Sequence, residues 1–408
     1  MYLFTSESVS PGHPDKCADI ISDSIVDYYL QRDPNAKVAA EVLIAGKNVT
    51  IGGEINSSIE VSHSDFENIV RDTLIKIGYT GHSGFTRKQT LYPDDVEVRV
   101  QLVQQSSEIN GGVVKDNGEL GAGDQGIMFG YASVGDNDFM PLAISYSRLI
   151  CDKVYQYALD NPKELGIDIK TQVTVDYGFK ENFAYGLANR IDTIIVSAPY
   201  TENIGKDRAQ EIILKLIEEV KDTTHLFDDK TTIKINPSGS YIQHSSLYDS
   251  GLTGRKLIVD SFGGYAPIGG GAQSGKDYTK VDRSGLYAAR WIAKHIVAVD
   301  ISATALVQIS YAIGEAKPIS ITVDTQGTSK TEIRDDELSQ WVSETFSLTP
   351  KWIKEKFTLD EPSSQTFLYA DVASKGQVGV YGYPWETLDE IDNFLDLRAS
   401  YHELYYDL

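Results

Sequence analysis

Gly269-Gly270-Gly271-Ala272-Gln273-Ser274-Gly275-Lys276-Asp277 is the stretch on which fold and chemistry both turn. From Gly270 it reads G-x-x-x-x-G-K, the opening of a phosphate loop. Asp277, however, stands where such a loop places the Ser or Thr that holds magnesium. Glycines let backbone N–H groups approach an anion, and a lysine supplies charge. Polyphosphate binding is therefore expected, while the wiring of an ordinary nucleotide hydrolase is not. The same glycines also make a plain flexible loop, and the stretch alone does not separate the two. Arg255, Lys256 and Lys280 lie close by in sequence. Cations so near one another repel unless an anion sits among them or they point apart.

Outward from this loop, short strands alternate with single helices. Ala288, Ile292, Ile296 and Val299 fall at helical spacing after Asp282, predicting a helix near 284–298, with strands near 255–260, 303–311 and 318–324. Toward the N-terminus, Cys17, Ile21, Ile25 and Tyr28 mark one face of a helix from about Pro14 to Tyr29, and Pro14 suits its first turn. Strands are expected over Val38–Ala45 and Val49–Ile55, a helix around Asp65–Ile77, and a half-buried strand over Val96–Leu102, which alternates. Residues 106–120, rich in Gly, Asn and Ser, read as a mobile loop. Beyond it come a strand over Ile127–Ala132, a helix near 140–159, strands near 171–177 and 191–197, a helix near 202–220 and a strand near 231–236. In the tail, Leu388, Ile391 and Leu395 share a helical face. The strand-pair, helix, strand rhythm occurs three times, which predicts three similar α+β domains rather than a doubly wound sheet. Boundaries are expected at 1–105, 121–236 and 237–385, with the loop 106–120 between the first two, an acidic tail over 386–408, and the domains interleaved in sequence.

The bulk numbers narrow the partners. The chain has 408 residues, is 41% hydrophobic and carries a formal charge of −22. A nucleic-acid partner is not expected, since phosphate backbones need a basic face. Residues 251–300 nevertheless hold seven Lys/Arg against four Asp/Glu, while residues 381–408 hold seven acids against one Arg. A basic island in an acidic chain suits a small polyanion. Two cysteines, Cys17 and Cys151, argue against a disulfide framework and fit a reducing compartment. The start at Met1 lacks the pattern of a signal peptide, and no apolar stretch would span a bilayer, so a cytoplasmic protein without membrane contact is expected.

Four constellations carry possible chemistry. Gly12-His13-Pro14-Asp15-Lys16 places a histidine, a carboxylate and a lysine at the mouth of a helix, where anions are attracted. Asp15 suits a magnesium that bridges phosphate oxygens, and His13 suits a donor to a leaving oxygen. The alternative is a helix started by proline with an ordinary acidic first turn. Gly121–Gly126 surrounds Asp124, which suits an ammonium group; it equally makes a tight turn before a strand. Asp249 with Gly251–Lys256 fits a zwitterion beside a phosphate, or a polar hairpin turn. Lys276, Lys280 and Asp282 surround the glycine loop, though Asp282 also works as a helix cap. No Ser/His/Asp arrangement or paired carboxylate can be read. The chemistry expected is therefore positioning and charge, not a protein nucleophile.

Together these segments resemble the S-adenosylmethionine synthetases (methionine adenosyltransferases). Gly121–Tyr131 is similar to the family's first signature and Gly269–Asp277 to its glycine-rich second. Ser6–Ser10 leading into Gly12–Lys16, and Gly251–Lys256, are similar to two more family segments, and the likeness runs from about Leu3 to Trp385. The resemblance implies that methionine sulfur attacks C5′ of ATP, and that the displaced triphosphate is cleaved to diphosphate and phosphate. It implies His13, Lys170, Arg255, Lys276 and Lys280 as catalytic residues. ATP would lie against Asp168 at the ribose, Tyr241 at the adenine where the family usually has Phe, and Ser240, Asp249, Lys256 and Ala272. Methionine would be held by Glu54, Gln105, Asp124, Asp249 and Lys280. About two Mg²⁺ per site would use Asp15 and Asp282, and K⁺ would use Glu41. The loop 106–120 would be a lid, and the family builds each site between subunits of a homodimer or homotetramer. An isolated chain should then be inactive.

The chain departs from the family pattern at Pro11, a usual Glu, at Gln273, a usual Phe, at Ser240, where many members have Arg, and at Ile268, where His is frequent. Gln243-His244-Ser245-Ser246 replaces a Gly-Gly-Pro-like turn. These changes bear on nucleotide contacts: a hydroxyl on Tyr241 and a polar Gln273 would alter adenine packing. Two rival functions are a phosphotransferase or NTPase using Gly270–Lys276, which would make ADP, and a non-catalytic binding subunit, which would make no sulfonium product.

Overall fold

The computed structural model describes residues 1–104, 120–136 and 138–406, with side chains to 401. Its strands are β1 (Leu3–Val9), β2 (Lys37–Ala45), β3 (Asn48–Asn56), β4 (Glu97–Gln104), β5 (Gly126–Ser133), β6 (Lys170–Asp176), β7 (Arg190–Ser197), β8 (Thr232–Ile235), β9 (Gly251–Leu252), β10 (Thr304–Tyr311) and β11 (Ser320–Asp324). Its helices are α1 (Pro14–Leu30), α2 (His63–Ile77), α3 (Leu142–Asp160), α4 (Lys180–Ala184), α5 (Gly205–Lys221), α6 (Leu257–Asp260), α7 (Val281–Ala298), α8 (Asp335–Thr345), α9 (Pro350–Phe357), α10 (Tyr369–Lys375) and α11 (Ile391–Tyr406).

Three sheets result, in the orders β1-β6-β7-β8, β4-β3-β2-β9 and β11-β10-β5. Each draws on distant parts of the chain: β1 pairs antiparallel with β6, β2 with β9, and β5 with β10. The alternation that marks strands puts one face of each sheet inside. In β2, Val38, Ala40, Val42 and Ile44 are buried and Glu41 and Leu43 exposed. Helices cover the inner faces, and α7 carries the deepest packing, with Ala288, Ile292 and Ile296 fully buried. The outer face of β4-β3-β2-β9 carries rows Ala39–Glu54–Val103, Glu41–Gly52–Gln101 and Leu43–Thr50–Arg99.

The stretch 255–260 is not a strand. Only Gly251 and Leu252 pair, with Leu43 and Ile44, and Leu257–Asp260 forms one helical turn. The apolar run Leu257-Ile258-Val259 imitates a strand, but Arg148 donates to the carbonyls of Val259 (2.8 Å) and Ser261 (3.0 Å) and holds the turn. Asp282 does not cap α7 either. Lys280 occupies that position and Asp282 sits in the first turn.

Candidate active site

Helix α1 begins the site. His13 caps it through its side chain, with Nδ1 accepting the Asp15 N–H at 3.1 Å. Burial first, then Lys170, Lys256, Lys16 and Arg255, push its pKa down to about 2. The ring is neutral, and because Nδ1 accepts, the proton sits on Nε2. That Nε2–H is buried and has no partner.

One residue on, Asp15 binds the loop at 251–256. Its Oδ2 lies 2.6 Å from Lys256 Nζ, and its Oδ1 accepts the Leu252 N–H at 3.0 Å and faces Arg255 Nε at 3.4 Å. That loop in turn touches the glycine loop: a β-carbon on Gly254 would stand 2.6 Å from Ala272 Cβ. The glycine loop runs along β2, with Ala40 N–H donating to Gly275 O at 2.8 Å and Asp277 N–H to Val38 O at 3.0 Å. Lys276 bridges Ala39, which puts it in one row with Ala39 and Glu54. Its Nζ meets Asp282 Oδ2 at 2.7 Å. A β-carbon on Gly271 would fall 2.2 Å from Asp282 Cγ, so only glycine fits against that carboxylate.

Asp277 explains why the stretch departs from a phosphate loop. It is fully buried, accepts the Val38 N–H at 2.7 Å and pairs with Lys280 at 2.6 Å. The position is a structural anchor, where a hydroxyl would leave Lys280 unpaired. Lys280 is thus tied to Asp277 and largely buried.

Asp168 is buried. Its Oδ2 accepts the Ser245 N–H at 3.0 Å, and its Oδ1 is unpartnered. Burial pushes its pKa up to about 6, against the pull of that hydrogen bond and of Lys170. Tyr241 donates its hydroxyl to the Asp168 carbonyl at 3.0 Å, so that hydroxyl ties two site segments together. Ser240 is exposed beside it, with Tyr200 Oη 3.5 Å from its Oγ. Asp249 is exposed, and its negative charge bears on both Asp168 and Tyr241. The turn at 243–246 holds buried His244, and Ser245, at φ 72°, accepts the Leu91 N–H. Gln273 is buried with an unpartnered Oε1, beside a cavity of about 10 Å³ lined by Ile127, Phe129, Phe262 and Leu286.

The first signature joins from the other side. Gly123 N–H donates to Thr279 O at 3.1 Å, which carries exposed Asp124 to the glycine loop; Asp124 accepts the Gln125 N–H at 2.8 Å. Glu41 stands on the outer face of its sheet, one row from Glu54. Gln105 and the loop 106–120, expected to act as a lid, lie outside the described residues, apart from Leu120.

Among the described residues no group of three or more His, Cys, Asp or Glu forms a metal cage. Asp15 and Asp282 are separate hard carboxylates, each already facing a lysine. That donor set fits Mg²⁺ held by one carboxylate at a time plus phosphate oxygens. The sequence reading missed Ser245, which holds Asp168, and Asp19, which holds Gly254. Asp19 was legible only as one of four acids at every fourth residue of α1.

Three family models match: S-adenosylmethionine synthetase N-terminal domain over 1–107, central domain over 119–241 and C-terminal domain over 244–387. An S-adenosylmethionine synthase from Wolinella succinogenes is 41% identical over 407 residues, 97% of this chain and 99% of that protein. One from Zymomonas mobilis is 39% identical over 410 residues, 98% and 99% of the two chains. A solved structure described as an unusual S-adenosylmethionine synthetase from Campylobacter jejuni superposes with a TM-score of 0.93 at 57% identity, over 97% of this chain and all of that one.

Proposed function

Because the chain belongs to the S-adenosylmethionine synthetase family and is a methionine adenosyltransferase, we propose how its own residues make S-adenosylmethionine from ATP and methionine. Methionine sulfur attacks C5′ in line, the whole triphosphate leaves, and water then cleaves the triphosphate to diphosphate and phosphate. A neutral thioether needs no general base, so the barrier lies in alignment and in the charge of the leaving group. Alignment contributes roughly 7–11 kcal/mol in such reactions.

The unpaired Nε2–H of His13 carries this reading. A buried, neutral donor among Lys170, Lys256, Lys16 and Arg255 is built to meet an anionic oxygen as charge develops on it. Lys170, Arg255, Lys256 and Lys276, with the Ala272 backbone, surround the phosphates. Asp168 takes the ribose through its unpartnered Oδ1, and Tyr241 and Ser240 lie at the base. Asp124, Asp249, Glu54, Gln105 and Lys280 serve methionine. Asp15 and Asp282 would hold Mg²⁺, which would supply neutralisation of phosphate charge, and Glu41 would hold K⁺.

The active form is a homodimer or homotetramer with sites between subunits. Supporting this, Leu43, Val103 and Leu252 are exposed on the sheet face that also carries Glu41 and Glu54. No described helix is long and apolar enough to cross a membrane, and both cysteines are free and buried, in keeping with the cytoplasm. The test is product analysis with ATP, methionine, Mg²⁺ and K⁺. S-adenosylmethionine with diphosphate and phosphate is expected; ADP, or ligand binding without a sulfonium product, overturns the reading.

A further inference from the structure

Helix α1 carries Asp15, Asp19, Asp23 and Asp27, one every fourth residue, and all four are buried. Together they accept backbone N–H groups from three remote segments, Asp15 and Asp19 sharing the 251–256 loop. Asp15 takes Leu252 (3.0 Å), Asp19 takes Gly254 (2.8 Å), Asp23 takes Gly275 (2.8 Å), and Asp27 takes Tyr369 and Ala370 (both 2.9 Å). A spacing of four places them in one row on a helix. The row meets, in order, the cation loop, the glycine loop and the start of α10. The helix whose mouth holds His13 thus also sets the positions of the loops bearing Arg255, Lys256 and Lys276.

Asp23 and Asp27 have structural company. Asp23 pairs with fully buried Arg283, which also donates to Lys276 O at 3.0 Å, and Asp27 holds two amides of one helix start. Asp19 differs. Gly254, the residue it holds, immediately precedes Arg255 and packs on Ala272. Its other oxygen faces Lys16 Nζ at 3.4 Å, and Lys16 reaches Asp260 at 2.5 Å. The 251–256 loop is therefore fixed at its middle by Asp19, and its continuation is fixed through Lys16 and Asp260. All three side chains are buried.

Building on the proposed triphosphate role of the 251–256 loop, we infer that Asp19 is a positioning residue for triphosphate handling: it holds the Gly254 amide and thereby sets Arg255 and Lys256 against the glycine loop. It touches no substrate. An error of about 1 Å in such placement costs on the order of 10²-fold in rate.

The test uses the full chain with inorganic tripolyphosphate as probe, in Asp19→Ala, Asp19→Asn and Arg255→Leu. Tripolyphosphate cleavage is measured beside amide hydrogen exchange over 251–257 and, as a control, over 170–176. For Asp19→Ala the expected results are a loss of about 10²-fold in cleavage and faster exchange confined to 251–257. Asp19→Asn keeps an oxygen acceptor for Gly254 and should recover most of both. Unchanged cleavage or unchanged 251–257 exchange in Asp19→Ala, with Arg255→Leu impaired, overturns the inference. An Asn variant as impaired as the Ala variant overturns the acceptor role. Should Asp19→Ala fail to fold, the exchange pattern of Asp19→Asn decides: near wild type over 251–257 supports the acceptor role, and fast exchange there overturns it. Intact cleavage in Arg255→Leu would instead sink the triphosphate placement of the loop, while the exchange data would still report whether Asp19 holds it.

Discussion

Gly271 and Asp282 are in contact with no room between them: a β-carbon on the glycine would stand 2.2–2.3 Å from all three atoms of the carboxyl group. The carboxylate that faces Lys276 is thus seated directly on the backbone of the glycine loop. Gly271→Ala must displace either the loop or Asp282. The expected outcome is a fall in S-adenosylmethionine formation on the order of 10²-fold, with a higher Mg²⁺ concentration needed for half-maximal rate. A magnesium titration of variant and parent checks both.

His13→Ala should leave methionine binding close to normal and reduce S-adenosylmethionine formation by on the order of 10²–10³-fold, the usual cost of removing one donor to developing charge. Equilibrium binding of methionine and single-turnover product formation separate the two effects. Near-normal turnover would remove His13 from the leaving-group site.

Asp277→Ser restores a phosphate-loop sequence and should not create a nucleotide hydrolase. It leaves Lys280 buried without its partner and removes the acceptor for Val38 N–H. Breaking a buried pair in this way costs about 3–5 kcal/mol. Chemical denaturation should show the loss, and chromatography should show no ADP.

Acid should destabilise the protein through its buried histidines. Burial pushes the pKa of His13 to about 2 and those of His244 and His295 to about 4. His295 must stay neutral to accept the Glu390 N–H on Nε2. Between about pH 6.5, the ordinary histidine value, and these folded values, the unfolded chain binds more protons. Their contribution is therefore full above pH 6.5 and lost as pH falls. Buried Asp27, pushed up to about 7, acts oppositely, since the folded chain is then the one holding the extra proton. His295→Asn should flatten the fall of the unfolding midpoint between pH 6.5 and 4, measured by thermal melts against pH.

Most strands and the long helices were legible because their patterns are local, though β1 and β9 were not read. Alternation over β2, β3 and β4, and the four-residue spacing of Ala288, Ile292 and Ile296, each need only a dozen residues of context. The run Leu257-Ile258-Val259 misled because what bends it, Arg148, lies 111 residues from Val259. Helices α8, α9 and α10 had no counterpart in the sequence expectations; they are 11, 8 and 7 residues long, and short helices carry little periodicity. At the site, residue types and anion-binding loops could be read, but pairing could not. Nothing local shows that Lys280 belongs to Asp277, or that a row of aspartates on α1 faces loops rather than water.

The pairing of β1 with β6, and of β5 with β10, has a consequence during synthesis. When the N-terminal segment leaves the ribosome, β1 has no neighbour until residues 170–176 follow it, and β5 waits for residues 304–311. Sheet edges that stay open so long invite pairing with other nascent chains. Cutting the gene at the end of any one segment should therefore yield aggregates rather than a folded module.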